Sequence, residues 1–270
     1  MAPLFSPYTE TMAIVSPSVV RLDRGYVEVS GADAEDFLER MVSNEVASLE
    51  RGEARSALLL TAKGRIISPL RVVRTEADSF VLVTDTSALA EPTTASLRAA
   101  RFAAKCEIER RAWEGFVQLG SEPETIAFPT NDYGVEAWES WHEGPVEGVD
   151  ALELEPLRIE AGTPAWGKEL DDSILPAEAG LDQTHISFTK GCFPGQEPIA
   201  RLRHRGHVNR HLRRIEVPAA QPGDEIVWND KVVGRVTSAV EGHALGYVRS
   251  EVPDDGVVTV GGSQARMRPA

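Results

Sequence analysis

The sequence feature that most restricts the local fold of this chain is the segment 190–205, which reads KGCFPGQEPIARLRHR. In it, Gly191 and Gly195 flank Cys192 and a Phe-Pro pair. Glycine permits positive φ and close backbone approach, whereas proline holds φ near about −65°. The combination predicts a shaped turn that holds Cys192 in a fixed place, followed by a helix or strand. Two interpretations are open: a surface turn with a basic flank, or a ligand-binding turn with a poised thiol.

Charge is unevenly distributed along the 270 residues, whose formal net charge is −14. Residues 107–160 carry fourteen acidic side chains and three arginines, whereas residues 201–214 carry six arginines, three histidines and no acid. A globally acidic protein binds nucleic acid poorly, so we expect no nucleic-acid partner. The basic segment is consistent with a small polyanionic ligand and equally with a solvated or internally paired surface.

The apolar and cysteine content indicates the cellular setting. The chain has no apolar run of about 18 residues, so we expect no membrane span. Its first residues lack the basic and apolar regions of a signal peptide. Cys106 and Cys192 are the only two cysteines. This content excludes a disulfide-stapled secreted scaffold, and the expected location is a reducing cytoplasm.

Hydrophobic periodicity predicts a mixed α+β protein with a small β-barrel at its C-terminal end. A strand around residues 26–29 precedes a helix that opens at Gly31 and Asp33. After residue 212, short alternating runs separated by turn residues predict the barrel, with a boundary at 206–209. The other predicted elements are a hairpin of 55–60 and 66–73, strands at 80–83, 106–109 and 116–119, helices at 87–104 and 152–159, and an irregular region at 121–150.

Several sequence blocks resemble those of one known family. The word KGCFPGQE, followed by AR and RG, closely resembles the signature of the YgfZ-type folate-binding proteins. The blocks RIEAGTPAWGKEL at 158–170 and LPAEAGL at 175–181 are similar to two further blocks of the same superfamily, in the same order. GADAEDFLERMVSNEV and LLLTAKGRIISPLRV resemble its opening helix and hairpin. These proteins are relatives of the glycine-cleavage aminomethyltransferases and of factors that help iron–sulfur enzymes mature.

The resemblance, which extends from Tyr26 to the end of the chain, implies an architecture and a ligand. We expect an α+β, GcvT/YgfZ-like fold whose modules surround a central folate-sized cavity, with a small C-terminal β-barrel. Residues 1–207 are expected to form the folate-binding region from two interleaved modules, of which residues 30–110 are the hairpin-rich one. Residues 208–270 are expected to form the barrel. The implied cofactor is tetrahydrofolate or a reduced folate derivative.

Cys192 is the first candidate for chemistry. Nearby cations favour a thiolate, and Lys190 and Arg201 lie close to Cys192 in sequence. We therefore expect Cys192, assisted by Lys190, to act as a redox or transfer thiol that faces the ligand cavity and reacts faster than Cys106. The alternative is a buried structural thiol.

The resemblance also implies which side chains hold the folate. The related proteins grip the pterin edge with a glutamate of the P-x-E-x-G-L block, which is Glu178 here, and Glu160 matches the glutamate of the R-x-E-A-G block. A carboxylate accepts two parallel N–H donors from such an edge. The alternative for both is a surface carboxylate. Further candidates are Arg158, Gln196, Arg201, which would pair with a folate glutamate tail or with Glu197, and Trp166, which would stack on a flat ring or belong to the core.

Metal binding is not expected. His204, His207 and His211 have the spacing of a metal-binding helix face, but Gly206 interrupts that helix and neighbouring arginines repel a cation. With two cysteines and no C-x-x-C motif, the chain does not supply the four thiolates of an ordinary iron–sulfur cluster.

One departure from the aminomethyltransferases concerns the reaction. In those enzymes the strand after the hairpin glycine carries an aspartate pair, whereas this chain has Ser68 and Pro69 there. Neither residue acts as a carboxylate base. We therefore expect a tetrahydrofolate-binding protein that supports the assembly or repair of iron–sulfur enzymes, with client enzymes or assembly proteins as partners. The alternatives are a folate-dependent aminomethyl or methyl transferase, and an interaction module with a degenerate folate pocket.

Overall fold

The structure, a computed structural model, describes residues 18–125, 127–144 and 153–270. Five of the first six strands form one antiparallel sheet, and two helices pack against it. In chain order these elements are β1 (Ser18–Leu22), β2 (Gly25–Ser30), α1 (Ala34–Met41), β3 (Ala54–Leu60), β4 (Ile66–Glu76), β5 (Ser79–Thr84), α2 (Ala90–Ala100) and β6 (Glu107–Arg111). The sheet order is β3-β4-β5-β2-β6. The predicted hairpin is therefore confirmed as β3 and β4.

The two helices form where their apolar residues recur at helical spacing. Phe37 and Leu38 of α1 are buried against the sheet, while acidic residues occupy its first turn and Arg40 its last, which suits the helix dipole. Leu97 of α2 packs into the same core. The helix predicted at 87–104 is shorter: a 3₁₀ turn at Ser87–Leu89 leads into α2.

A second antiparallel sheet has the order β1-β7-β9-β8, and its added strands are β7 (Glu114–Leu119), β8 (Ala127–Thr130) and β9 (Ala137–His142). The strand predicted at 116–119 is β7, and it lies in a different sheet from the hairpin because it pairs with β1. The strand β1 itself was not predicted from periodicity. The region predicted as irregular contains β8 and β9. Residue 126 and residues 145–150 of that region lie outside the described residues.

The middle of the chain holds two short helices among long connections, α3 (Glu155–Ala161) and α4 (Gln196–Arg205). Gly162, with φ of +86°, ends α3, as predicted. The predicted helix began at residue 152, which lies outside the described residues. A 3₁₀ turn at Pro176–Glu178 lies between them. The segment 190–205 is therefore a turn followed by a helix.

The C-terminal strands close into a barrel, which confirms the predicted fold class. They are β10 (Arg210–Glu216), β11 (Glu225–Trp228), β12 (Lys231–Val240), β13 (His243–Arg249), β14 (Val257–Val260) and β15 (Ser263–Pro269). A shared apolar cluster joins the barrel, α3, α4 and the hairpin, and it includes Leu58, Ile159, Ile199, Leu212 and Leu245. No helix in the described part of the chain is long and apolar enough to cross a membrane.

Candidate functional site

The turn before α4 is fixed by a close backbone approach to the β3–β4 hairpin. Gly195 has φ of +83°, and a Cβ built there would lie 2.6 Å from the Thr61 carbonyl oxygen and 2.9 Å from Gly64 Cα. Only glycine combines this φ with this contact. The prediction of a glycine-shaped turn is therefore correct, and the hairpin tip is its packing partner.

Lys190 anchors the other end of this turn to α1. Its Nζ donates to the carbonyl oxygens of Glu39 at 2.6 Å, Val42 at 2.9 Å and Asn44 at 2.8 Å, and lies 3.3 Å from the Glu39 carboxylate. The side chain is 1% exposed, and burial lowers the pKa of the ammonium although Glu39 opposes the effect. The structure thus gives Lys190 a structural role on α1 and the residues after it, and its assistance to Cys192 stays a prediction.

The two cysteines differ in accessibility. Cys192 is exposed and Cys106 is buried. Burial raises the pKa of the Cys106 thiol, although Arg101 acts in the opposite direction. The structural alternative of a buried thiol thus applies to Cys106 and not to Cys192.

Alkylation at neutral pH is expected to modify Cys192 at least about tenfold faster than Cys106, because only the thiolate of an accessible cysteine reacts readily. Mass spectrometry of the labelled peptides measures the ratio, and the unfolded protein, in which both cysteines are accessible, serves as the control. Equal rates in the folded protein would show that the turn protects its thiol. Cys192 does not line the cavity described next, so a ligand there is expected to leave its rate unchanged.

A cavity of about 530 Å³ lies between loop 175–183, α4 and the first strand of the barrel. The turn Lys63-Gly64 of the hairpin contributes to its lining. Apolar side chains such as Phe188 and Leu212 form part of the wall, with a few charged groups among them. A concave, partly apolar site of this volume is typical of small-molecule binding.

Glu178 lies on the wall of this cavity, and its side chain is 12% exposed. Its Oε1 accepts from Arg210 Nε at 3.0 Å, and its Oε2 accepts from the Leu175 backbone N–H at 3.0 Å. The guanidinium of Arg210 in turn lies over the Tyr247 ring, 4.8 Å from its centroid. The carboxylate is thereby oriented by a cation and a backbone donor at the cavity.

Arg210 and Tyr247 are site residues that sequence reasoning missed. Arg210 belongs to β10 and Tyr247 to β13, which are paired neighbours in the barrel. Burial raises the pKa of the Tyr247 hydroxyl, which donates to the Glu169 carbonyl oxygen at 2.9 Å. No local signal in the sequence links these barrel residues to Glu178.

Three expected ligand-binding residues do not line the cavity. Glu160 is exposed on α3, and Arg201 is exposed on α4, where it pairs with Glu197 at 2.9 Å. Gln196 begins α4, and its backbone N–H donates to the Phe193 carbonyl. The sequence left two partners open for Arg201, a folate glutamate tail and Glu197, and the structure shows the pair with Glu197.

Arg158 does not line the cavity either, and it is buried among polar partners. It donates to Glu155 at 2.7 Å, to Glu169 at 2.9 Å and to Ser238 Oγ at 2.9 Å. These bonds tie α3 to the barrel strand β12. Trp166 packs against the shared apolar cluster, which agrees with its core interpretation.

A second polar cluster, which we call the Arg24 cluster, joins the two N-terminal sheets. Arg24 donates to Glu139 at 2.7 Å and to Asp85 at 3.1 Å, and lies 3.8 Å from Asp132. Arg71 donates to both oxygens of Asp132, at 2.7 and 2.8 Å. Although burial opposes ionisation, the two arginines hold the pKa of Asp132 below its usual value.

His185 lies beside this cluster and is uncharged at neutral pH. Burial, reinforced by Arg71, lowers its pKa to about 3, although Asp132 acts in the opposite direction. Its Nδ1 lies 2.7 Å from Thr184 Oγ1. Ser68 in β4 is fully buried, and its hydroxyl donates to the Pro69 carbonyl oxygen. This histidine had no sequence signal.

The histidines with metal-like spacing do not share a helix. α4 ends at Arg205, so His204 lies on the helix, His207 on the connection and His211 in β10. Within the described ranges, no group of three or more His, Cys, Asp or Glu side chains is arranged to hold a metal ion.

Two family models match the sequence. The GCVT N-terminal domain matches residues 23–118, and the CAF17 C-terminal beta-barrel domain matches residues 199–270. Fold and sequence together define a protein of GcvT-like architecture with a CAF17-type barrel. The chain belongs to the YgfZ/CAF17 family, in which it is a YgfZ-type homologue.

Similar proteins differ in how much of the chain they match. An uncharacterized protein of Haemophilus influenzae is 28% identical over 230 residues, which cover 79% of this chain and 81% of the relative. A putative chloroplastic transferase of Arabidopsis thaliana is 37% identical over 121 residues, which are 42% of this chain and 28% of the relative. The crystal structure of the glycine cleavage system aminomethyltransferase T from Bartonella henselae aligns with a TM-score of 0.78 at 20% identity, covering 94% of this chain and 85% of that one. That last likeness establishes the fold.

Proposed function

We propose that the chain binds a reduced folate in the cavity beside Glu178 and thereby supports the assembly or repair of iron–sulfur enzymes. The observation that carries the proposal is the position of Glu178, a largely buried carboxylate on the wall of a cavity of about 530 Å³. The sequence block around Glu178 resembles the pterin-binding block of folate proteins, and membership in the YgfZ/CAF17 family supports the same ligand class.

The local geometry of Glu178 suits recognition of a pterin edge. An ionised carboxylate has about four acceptor positions. Arg210 donates to both oxygens, at 3.0 and 3.5 Å, and the Leu175 N–H donates to Oε2, so three of these positions are used and the plane of the group is fixed. One position on Oε1 stays open to a ligand N–H, and a pterin edge that donates two parallel N–H groups, a charge-assisted arrangement, takes the place of Arg210 on the carboxylate.

Replacing Glu178 with glutamine is expected to weaken binding of tetrahydrofolate by about 1.5–3 kcal/mol, the cost of losing hydrogen bonds to a charged group. Isothermal titration calorimetry with tetrahydrofolate and 5-formyltetrahydrofolate measures the change. Glu160→Gln is the matched control, because Glu160 is exposed outside the cavity and its loss is expected to leave the affinity unchanged.

Two results would refute this proposal. One is the absence of binding heat and of any thermal shift with every reduced folate. The other is equal affinity of the Glu178→Gln and Glu160→Gln variants. Because Glu178 also pairs with Arg210, thermal unfolding of the ligand-free variants is recorded beside the titrations, and unfolding temperatures close to that of the wild type show that the measured loss belongs to the ligand.

Cys192 supplies the second part of the proposed function. Its thiol is exposed, so a client enzyme or an assembly protein can reach it in a redox or transfer role. The turn that carries it is held at both ends, by Lys190 on α1 and by Gly195 on the hairpin tip. Cys192 does not line the cavity, so we infer that this rigid turn keeps the thiol at a fixed position relative to the folate site.

A folate-dependent aminomethyl transfer is the less supported alternative. Ser68 and Pro69 occupy the hairpin strand where the aminomethyltransferases carry an aspartate pair. The Ser68 hydroxyl is fully buried and is used by the Pro69 carbonyl oxygen. No general base for that reaction is therefore available at this position.

A further inference from the structure

Phe102, which follows α2 closely, is held in water in a strained backbone conformation. It is 92% exposed, and its φ of +43° lies in the left-handed region that bulky residues avoid. The other non-glycine residues with positive φ in the described part of the chain are Asn229 and Asp230, whose short polar side chains tolerate this region. Packing within one copy of the chain does not explain such a ring, and strain of this kind commonly serves function.

The loop 101–106 presents the Phe102 ring on a rigid base. Asp33, just before α1, accepts the Lys105 backbone N–H at 2.7 Å, and its own N–H donates to the Lys105 carbonyl oxygen at 3.3 Å. Gly31 lies against the same loop, because a Cβ built there would be 2.5 Å from that carbonyl oxygen. The ring is therefore offered at a fixed position, which lowers the entropic cost of docking.

A depression of about 610 Å³ lies next to Phe102, since the loop residues on both sides of the ring line it. Its lining includes two cations and two acids, Arg101, Lys105, Asp78 and Glu107. Within the described ranges, both acids and the Lys105 ammonium are exposed and form no ion pair with another side chain. The depression is larger than an aromatic side chain, and it carries both signs of charge at its wall.

The free edge of β6, beside this loop, is closed to strand pairing. Arg98 donates to the Ile108 carbonyl oxygen through Nε at 3.1 Å and through Nη2 at 2.7 Å, and Arg101 donates to the Cys106 carbonyl oxygen at 3.0 Å. These guanidinium groups occupy carbonyl oxygens that an added strand would need. A partner on this surface therefore docks through side chains and does not extend the sheet.

We propose that the partner is a second copy of this chain, bound about a two-fold axis, with Phe102 of each copy seated in the depression of the other. A ring and an adjacent depression on one surface are the self-complementary pair that such an interface requires. The two cations of one copy then face the two acids of the other. A lipid surface of one charge sign would instead meet repelling groups, so the charges favour a second copy.

This interface is separate from the proposed folate site. Phe102 and the residues named for the depression do not line the cavity beside Glu178. The inference therefore stands or fails independently of folate binding, and the tests below are made on the full chain without a ligand.

Sedimentation-velocity ultracentrifugation over a wide range of concentrations measures the association. The wild type is expected to show a monomer–dimer equilibrium, and Phe102→Ser is expected to raise the dissociation constant at least about tenfold, as for the loss of a central aromatic anchor. Val257→Ser is the matched control, because Val257 is 48% exposed on β14 of the barrel, and it is expected to keep the wild-type constant. Equal constants for the wild type and Phe102→Ser would overturn the inference.

Phe102→Gly separates association from folding. Glycine adopts positive φ without steric cost, so the monomer, measured at low concentration, is expected to unfold at or above the wild-type temperature while the dimer weakens. An unfolding temperature below that of the wild type would show that Phe102 serves the fold of a single copy, and the inference would be wrong.

The charges at the depression provide the second test. Lys105→Glu is expected to weaken the dimer, and Lys105→Glu/Glu107→Lys to recover part of the loss, because the double variant again gives each copy one cation and one acid. An unchanged dissociation constant in Lys105→Glu would refute the seating of Phe102 in this depression. A wild type that stays monomeric at every concentration, or that binds anionic vesicles through Phe102 instead, would overturn the inference as a whole.

Discussion

Replacement of Arg24 with methionine is expected to destabilise the protein by about 3–5 kcal/mol, the usual cost of removing one partner from a buried ion pair. Arg24 is 13% exposed and Glu139 is 3% exposed, so the carboxylate left behind is shielded from water. Asp85 would lose its guanidinium partner as well. The loss also removes one polar link between the two N-terminal sheets, whereas the Arg71–Asp132 pair remains. Denaturant unfolding, followed by circular dichroism, measures the change.

Arg21→Met is the matched control for Arg24. Arg21 pairs with Glu114 on the same protein, but its side chain is 53% exposed, and exposed pairs contribute about 0–1 kcal/mol. A double variant, Arg24→Met/Glu139→Gln, is expected to recover part of the loss because it no longer buries an unpaired charge. If Arg24→Met costs no more than Arg21→Met, the cluster is not the electrostatic joint described above.

Replacement of Arg158 with methionine is expected to cost a similar amount, about 3–5 kcal/mol, for the same physical reason. Glu169, whose side chain is fully buried, would lose its cationic partner Arg158 and keep the Ser238 hydroxyl and the Ala165 N–H as donors. The effect is expected in unfolding, since Arg158 does not line the cavity. Folate affinity measured on the folded variant is expected to match that of the wild type.

Arg201→Met is the control, because Arg201 was an equal candidate for ligand binding in the sequence. Its side chain pairs with Glu197 and is 71% exposed. Its loss is expected to change stability by less than about 0.5 kcal/mol. A variant of Arg158 that unfolds like the wild type but fails to bind folate would contradict the structural role assigned to Arg158.

Acid is expected to reduce the difference between Arg158→Met and the wild type. The hydrogen bond from Arg158, opposed by burial, is the main reason that the pKa of Glu155 falls to about 2. A carboxyl with a lowered folded-state pKa stabilises the protein above its unfolded value of about 4.5, and the contribution is lost as the pH falls towards the folded value. The gap between the two unfolding curves is therefore expected to narrow below pH 4.5.

Local patterns in the sequence were sufficient for most of the secondary structure. The turn at Gly195, the β3–β4 hairpin and the alternating strands of the barrel depend on steric and hydrophobic preferences within a few residues. The strand β1 was missed because its pairing with β7 spans nearly a hundred residues. The carboxylate Glu178 was found through its sequence block, which the fold places on the cavity wall.

The sequence by itself therefore determined most of the elements, the mixed α+β class with its barrel, and one carboxylate of the candidate site. Only the tertiary structure decided which cation meets which partner. Lys190 was expected to assist Cys192, and its ammonium donates to carbonyl oxygens at the end of α1. Arg158 was expected to bind the ligand, and it forms an ion pair with Glu169. The ion pair between Arg210 and Glu178 was not expected. The physical reason is that a long cationic side chain has many possible partners in a protein with 42 acidic residues. Burial selects among these partners, and no local sequence pattern encodes burial.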